Sequence, residues 1–105
     1  MKVHISFADP ETEEWKICGT VAGNEQTEFG ISLIKFSGDV LLPNSESLRL
    51  TGTYDPAHRG VSILLFVGSR QVAELGGFKT EAGGYDPSMS FLTPGGNYVQ
   101  LLVGT

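Results

Sequence analysis

Apolar and polar positions alternate along much of this chain with a period of two, the repeat of a β-strand with one buried face. The clearest case is Leu48, Leu50, Gly52 and Tyr54, interleaved with Ser47, Arg49, Thr51 and Thr53. Val3, Ile5 and Phe7 alternate in the same way with Lys2, His4 and Ser6. Residues 15–21, 88–93 and 98–103 read as further strands. Phe29, Ile31, Leu33 and Lys35 share one face of a strand whose other face holds Ile34 and Phe36. Gly38-Asp39 is expected to end that strand, and Val40-Leu41-Leu42 is a short one stopped by Pro43, which cannot donate to a ladder.

The run Gly60–Val67 departs from alternation, because it is apolar at almost every position. It is too short for an ordinary helix and glycines flank it, so it reads as the central strand of the domain. Val67-Gly68-Ser69-Arg70 then forms a two-residue turn. Gly68 at its first central position suits type II′, which needs positive φ there. A regular hairpin through that turn sets Val67 against Arg70, Leu65 against Val72 and Ile63 against Glu74. A strand apolar on both faces predicts that its second face is covered, by a loop or the chain's own termini, or by a protein partner.

The connections are polar. Asp9-Pro10-Glu11-Thr12-Glu13-Glu14 has the capping residue, proline and carboxylates of a helix start, and is long enough for one or two turns. Gly23-Asn24-Glu25-Gln26 reads as a loop, and residues 76–85 hold four glycines beside Phe78 and Tyr85. Tyr54-Asp55-Pro56 recurs as Tyr85-Asp86-Pro87, turn chemistry that two corners of a sandwich can share. Eight or nine short strands without a long helix predict an all-β single domain over residues 1–105. The expected fold is a small antiparallel β-sandwich, immunoglobulin-like or jelly-roll-like, with a small β-barrel as the alternative.

Composition narrows the functions. The net charge is −5 and the seven Lys and Arg are scattered, so nucleic acid and anionic membrane surfaces are not expected partners. No stretch approaches a membrane span. Residues 1–7 lack the apolar core of a signal peptide, which predicts a cytoplasmic protein if Met1 is the native start. One cysteine, Cys18, excludes an internal disulfide, and between Ile17 and Gly19 it reads as a small buried hydrophobe.

Catalytic chemistry finds little support. His4 and His58 are the only histidines, His4 at a solvent-facing strand position and His58 in a turn with Asp55. No zinc-type spacing, phosphate loop or nucleophile elbow is present, so no enzyme, metal or cofactor is expected. Trp15, Tyr54 and Tyr98 lie on predicted strands and are expected in the core. Phe78, Tyr85 and Asp86 are the candidate binding residues, because aromatics on a glycine-rich loop can stack on sugars or anchor in protein pockets. The expectation is a non-enzymatic module for protein–protein contact or self-association, with carbohydrate or another small ligand at residues 76–87 as the alternative.

Overall fold

The computed structural model describes residues 1–9, 11–58, 60–79, 85–86 and 89–104, with side chains outside the description at 77–79, 85–86 and 89. Ten strands among them form two antiparallel sheets packed face to face, a β-sandwich. The smaller sheet has the order β2-β1-β10-β9, built from β1 (Lys2–Ala8), β2 (Trp15–Ala22), β9 (Met89–Leu92) and β10 (Tyr98–Gly104). The larger runs β3-β4-β5-β6-β7-β8, from β3 (Asn24–Glu28), β4 (Ile31–Leu42), β5 (Glu46–Asp55), β6 (Gly60–Val67), β7 (Arg70–Lys79) and β8 (Tyr85–Asp86). The core lies between them, where Val3, Ile5, Val99 and Leu101 of the small sheet meet Phe36, Leu48, Leu50, Ile63 and Leu65 of the large one.

The sheets are joined by a strand that changes partner. β2 pairs with β1, Gly23 turns the corner, and β3 continues the same direction along β4. A Cβ on Gly23 would lie 2.3 Å from Ile34 Cγ2 and 2.8 Å from Phe36 Cε1, so the corner has no room for a side chain. Gly38 serves a related end. Instead of breaking β4 it lies within the twelve-residue strand, where a Cβ would approach Val21 of the opposite sheet to 3.1 Å. The break expected there is absent because this glycine permits close packing between layers and not a turn.

Residues 24–28 likewise form a strand instead of a loop. Their own propensity is low, but β4 supplies a full ladder. Ser32 donates to Glu25 at 2.9 Å and Lys35 to Glu28 at 2.5 Å across the pair. The acidic segment after β1 is a tight turn: Glu13 N–H donates to Asp9 C=O at 2.8 Å, and no helix forms over residues 11–14. Pro10 lies outside the described residues.

Two β-bulges set which side chains face out. In the β6–β7 hairpin, Gly68 has φ 62° as the turn requires, and Val67 and Phe66 pair with Arg70 and Gln71. The register then slips at Val72, so Leu65 meets Ala73 and Ile63 meets Leu75. A regular ladder would have put Glu74 against Ile63 in the core. The bulge turns Glu74 outward and Leu75 inward. The second bulge, in β1–β2, pairs Ile5 with Gly19 and Ser6 with Ile17, leaving Cys18 as the extra residue.

Candidate functional site

The aromatic residues expected to bind lie at one margin of the large sheet. Phe78 in β7 pairs with Asp86 in β8, and Lys79 with Tyr85, so the sheet ladder brings the three together along the backbone. Their side chains fall outside the described residues, as do residues 80–84. The Asp55–His58 turn is a local lock. His58 Nδ1 lies 2.6 Å from Asp55 Oδ2, and Ala57 N–H donates to the other carboxylate oxygen at 3.0 Å. The hydrogen bond from His58 holds the Asp55 carboxyl below its ordinary range. Among the described residues no cluster of three or more His, Cys, Asp or Glu is placed to hold a metal ion. Cys18 is half-buried, its thiol pushed up by burial and donating to Ile5 C=O at 3.3 Å, which suits a packing role.

The outer face of β6 is covered less than its composition suggests. Val61, Ile63 and Leu65 point into the core, while Leu64 and Phe66 on the other face remain half-exposed. The Arg49 guanidinium lies over the Phe66 ring, 4.9 Å from its centroid. Next to them a shallow groove of about 490 Å³ is floored by Thr51, Thr53, Ser62 and Leu64, with Asn24 and Ser37 at its margin.

The apolar surface of the protein lies on the other sheet. Of eight large hydrophobics exposed among the described residues, five sit on the outer face of the small sheet: Trp15, Ile17, Leu92, Tyr98 and Leu102. Trp15 and Tyr98, expected in the core, are 44% and 47% exposed. Their rings flank Ala8 across three strands and meet 5.5 Å apart, because the small residue between them leaves space to lean together. Leu92 pairs with Tyr98 and extends the row. The Cys18 bulge produces this arrangement. Val21 and Gly19 face the core, the extra residue reverses the alternation, and Ile17 and Trp15 emerge on the outside.

A cavity of about 430 Å³ opens at the end of this face, between Phe7, Ala8 and Tyr98 on one side and Pro43 and Asn44 on the other, with Asp9 and Glu11 at the rim. Asp9 is engaged by Lys16 at 2.5 Å, which holds its carboxyl below the ordinary range. The wall is fixed by Glu46, whose carboxylate accepts from the Thr93 hydroxyl, from Gly95 N–H at 2.6 Å and from Asn97 Nδ2 at 3.1 Å. Asn97 also donates to Pro43 C=O at 2.8 Å. Burial alone would push the Glu46 carboxyl up. The donors from Thr93, Asn97 and Gly95 outweigh it and hold the group below its ordinary range. Nothing in the alternation marked Glu46, since it begins a strand; only its position before an otherwise regular apolar series signals that it faces the core.

Phe29 occupies the far end of the molecule. Glu28 pairs with Ile31, and Phe29 and Gly30 have φ 52° and 77°, the two left-handed residues of a type I′ turn. The turn favours Asn-Gly, and a bulky side chain at such a φ costs about 1–2 kcal/mol. The ring is fully exposed and Ile31 beside it is 54% exposed, so neither gains burial in exchange.

No known protein family matches the chain, and no characterised protein or solved structure is similar to it at a meaningful level.

Proposed function

We propose that this protein is a non-enzymatic protein–protein interaction module whose docking surface is the outer face of the small sheet. The observation supporting it is the concentration of Trp15, Ile17, Leu92, Tyr98 and Leu102 there, beside a cavity walled by Phe7 and Pro43. Contiguous exposed apolar surface is characteristic of binding sites, and Trp and Tyr dominate the energetics of such contacts. Three of the five residues are aliphatic, which favours a protein surface over a sugar, since sugars stack on rings. The test is affinity capture from extracts of the source organism with wild-type protein and an Ile17→Lys/Leu92→Lys variant. Both positions are exposed strand sites, so the variant keeps the fold. A defined protein held by the wild type and lost in the variant supports the reading; the same proteins on both remove it.

Carbohydrate binding at the large sheet is the second reading. It draws on the groove floored by Thr51, Thr53 and Ser62, near the strands that bring Phe78, Tyr85 and Asp86 together. Titration with neutral oligosaccharides decides it, with Thr53→Val and Tyr85→Ala as the informative variants; no heat of binding to any of them excludes it.

A further inference from the structure

β2 is the outermost strand of the small sheet, and among the described residues no strand lies beyond it. The hydrogen bonds at the acidic turn fix which of its backbone groups face that open edge. Asp9 N–H donates to Glu14 C=O at 2.9 Å, and two residues further on the register pairs Phe7 with Lys16. Opposed residues of an antiparallel ladder alternate between bonded and non-bonded pairs. Lys16 therefore bonds to β1, while Trp15 and Ile17 direct their N–H and C=O to the open edge. The bulge at Cys18 ends this regular stretch. Trp15, Lys16 and Ile17 are all exposed. The two residues with outward backbone groups are thus the two that carry exposed apolar side chains.

We infer that β2 takes up an extended, basic peptide segment of a partner protein as a fifth strand of the small sheet, antiparallel to residues 15–17. The inference rests on the reading of this face as a protein-docking surface and states how the partner docks. Two features select the occupant. Main-chain donors and acceptors along an open edge are matched by another strand, whose side chains then lie beside Trp15 and Ile17 on the apolar face. Charge sets the composition. Residues 9–16 hold Asp9, Glu11, Glu13 and Glu14 against Lys16 alone, and Lys16 is taken by Asp9 at 2.5 Å. A strand running antiparallel past Ile17 and Trp15 next reaches this acidic turn, where Lys or Arg meets carboxylates.

The edges of β3 and β4 lack this combination. The two-residue turn between them makes Glu28 and Ile31 a bonded pair, so Glu25 and Thr27 face the free side of β3. Beyond the end of β3, β4 presents Ser37, Asp39 and Leu41 by the same alternation. Leu41 is the single apolar residue of these five, and polar or acidic side chains along an edge discourage pairing. On β2 the charge at Lys16 is already neutralised by Asp9. The contact is short, because the bulge ends it after Ile17, so binding is weak and depends on few main-chain bonds.

The experiment titrates isotope-labelled wild-type protein with the peptide acetyl-Thr-Val-Thr-Val-Lys-Lys-amide and follows amide exchange and chemical shifts by NMR. In the free protein the Trp15 and Ile17 amides exchange fast and the Lys16 amide slowly. With peptide, Trp15 and Ile17 become protected and the shifts concentrate on residues 13–17. The valines lie opposite Ile17 and Trp15, so N-methylating both removes two main-chain bonds and weakens binding by about tenfold or more. N-methylating the threonine between them, whose N–H points away from β2, leaves binding unchanged. Replacing both lysines by glutamate abolishes binding, and added salt weakens that of the parent peptide. No binding up to the millimolar range, equal affinity of the two methylated forms, or equal binding of the glutamate peptide overturns the inference. So does a free protein that dimerises with its Trp15 and Ile17 amides already protected, which makes a second copy the occupant. If the peptide fails yet Ile17→Lys/Leu92→Lys still loses a captured protein, the docking surface stands and only strand addition falls.

Discussion

Removing the Glu46 carboxylate is the most informative perturbation of the fold, because that group ties the end of the β4–β5 connection to the β9–β10 turn. In Glu46→Ala three donors lose an acceptor, but not equally. Gly95 is exposed and its N–H regains water, and Asn97 Nδ2 keeps Pro43 C=O. Thr93 is 3% exposed, so its hydroxyl has no such route, although its oxygen still accepts from Asn97 N–H at 3.0 Å. One donor left buried and two weakened bonds sum to about 2–4 kcal/mol. Against a stability of about 5–10 kcal/mol for a domain of this size, that lowers the melting temperature by roughly 10–20 °C. Glu46→Gln keeps one acceptor for Thr93 and Asn97 but points an amide N–H₂ at Gly95 N–H, for a loss of about 1–2 kcal/mol. The carboxyl of wild-type Glu46 is held below the ordinary value of 4.5 in the folded state. The contribution of Glu46 is therefore present above that value and disappears as pH falls through the lower folded value. The deficit of Glu46→Gln relative to wild type should shrink between pH 5 and 3 in urea titrations. A Glu46→Ala variant within 1 kcal/mol of wild type, or a Gln deficit unchanged at pH 3, would refute the clamp.

Three further outcomes follow from the backbone. Gly23→Ala forces a methyl to within 2.3 Å of Ile34 and should destabilise by about 1–3 kcal/mol, read by denaturant midpoint at unchanged slope. Gly68→Ala places a side chain at φ 62° and should cost about 1 kcal/mol in the same assay, without the clash. Deletion of Cys18 removes the extra residue of the bulge while leaving Ile17 opposite Ser6, so Trp15, the single tryptophan, should keep its accessibility to acrylamide quenching. A rise in accessibility on deletion, from a protected Trp15 in the parent, would mean the alternation had been regular and the bulge assignment wrong.

Strand positions were legible where one face is buried and the other is wet. Leu48, Leu50 and Tyr54 are buried as their alternation requires, and so are Val3 and Ile5. The Gly68 turn followed from one residue that tolerates positive φ. Long-range effects were not legible. Residues 24–28 become a strand only because β4 offers a ladder, and Gly38 is a packing glycine only because Val21 lies across the core. Phe29 alternates in the sequence as an apolar strand position and stands instead in the turn, since a two-residue loop fixes register more firmly than side-chain preference. The main displacement concerns surface. The doubly apolar β6 drew attention to the large sheet, whereas the exposed rings and aliphatics belong to the small one.

One inserted residue accounts for that displacement and bears on its meaning. In a regular ladder with Cys18 opposite Ser6, Trp15, Ile17, Gly19 and Val21 would share a face and all turn toward the core. Burying Trp15 and Ile17 would contribute about 3–6 kcal/mol, comparable to much of the stability of a domain this small. The chain forgoes that burial, and it accepts a left-handed Phe29 at its other end, where asparagine would hold the same turn without strain. Folding alone favours neither choice. Both place large apolar side chains in solvent, and the proposed docking against another protein surface would recover the burial that the fold leaves unused. The energetic case for an interaction module thus rests on where the fold departs from its own regular pattern, at Cys18 and at Phe29, more than on the count of exposed hydrophobics.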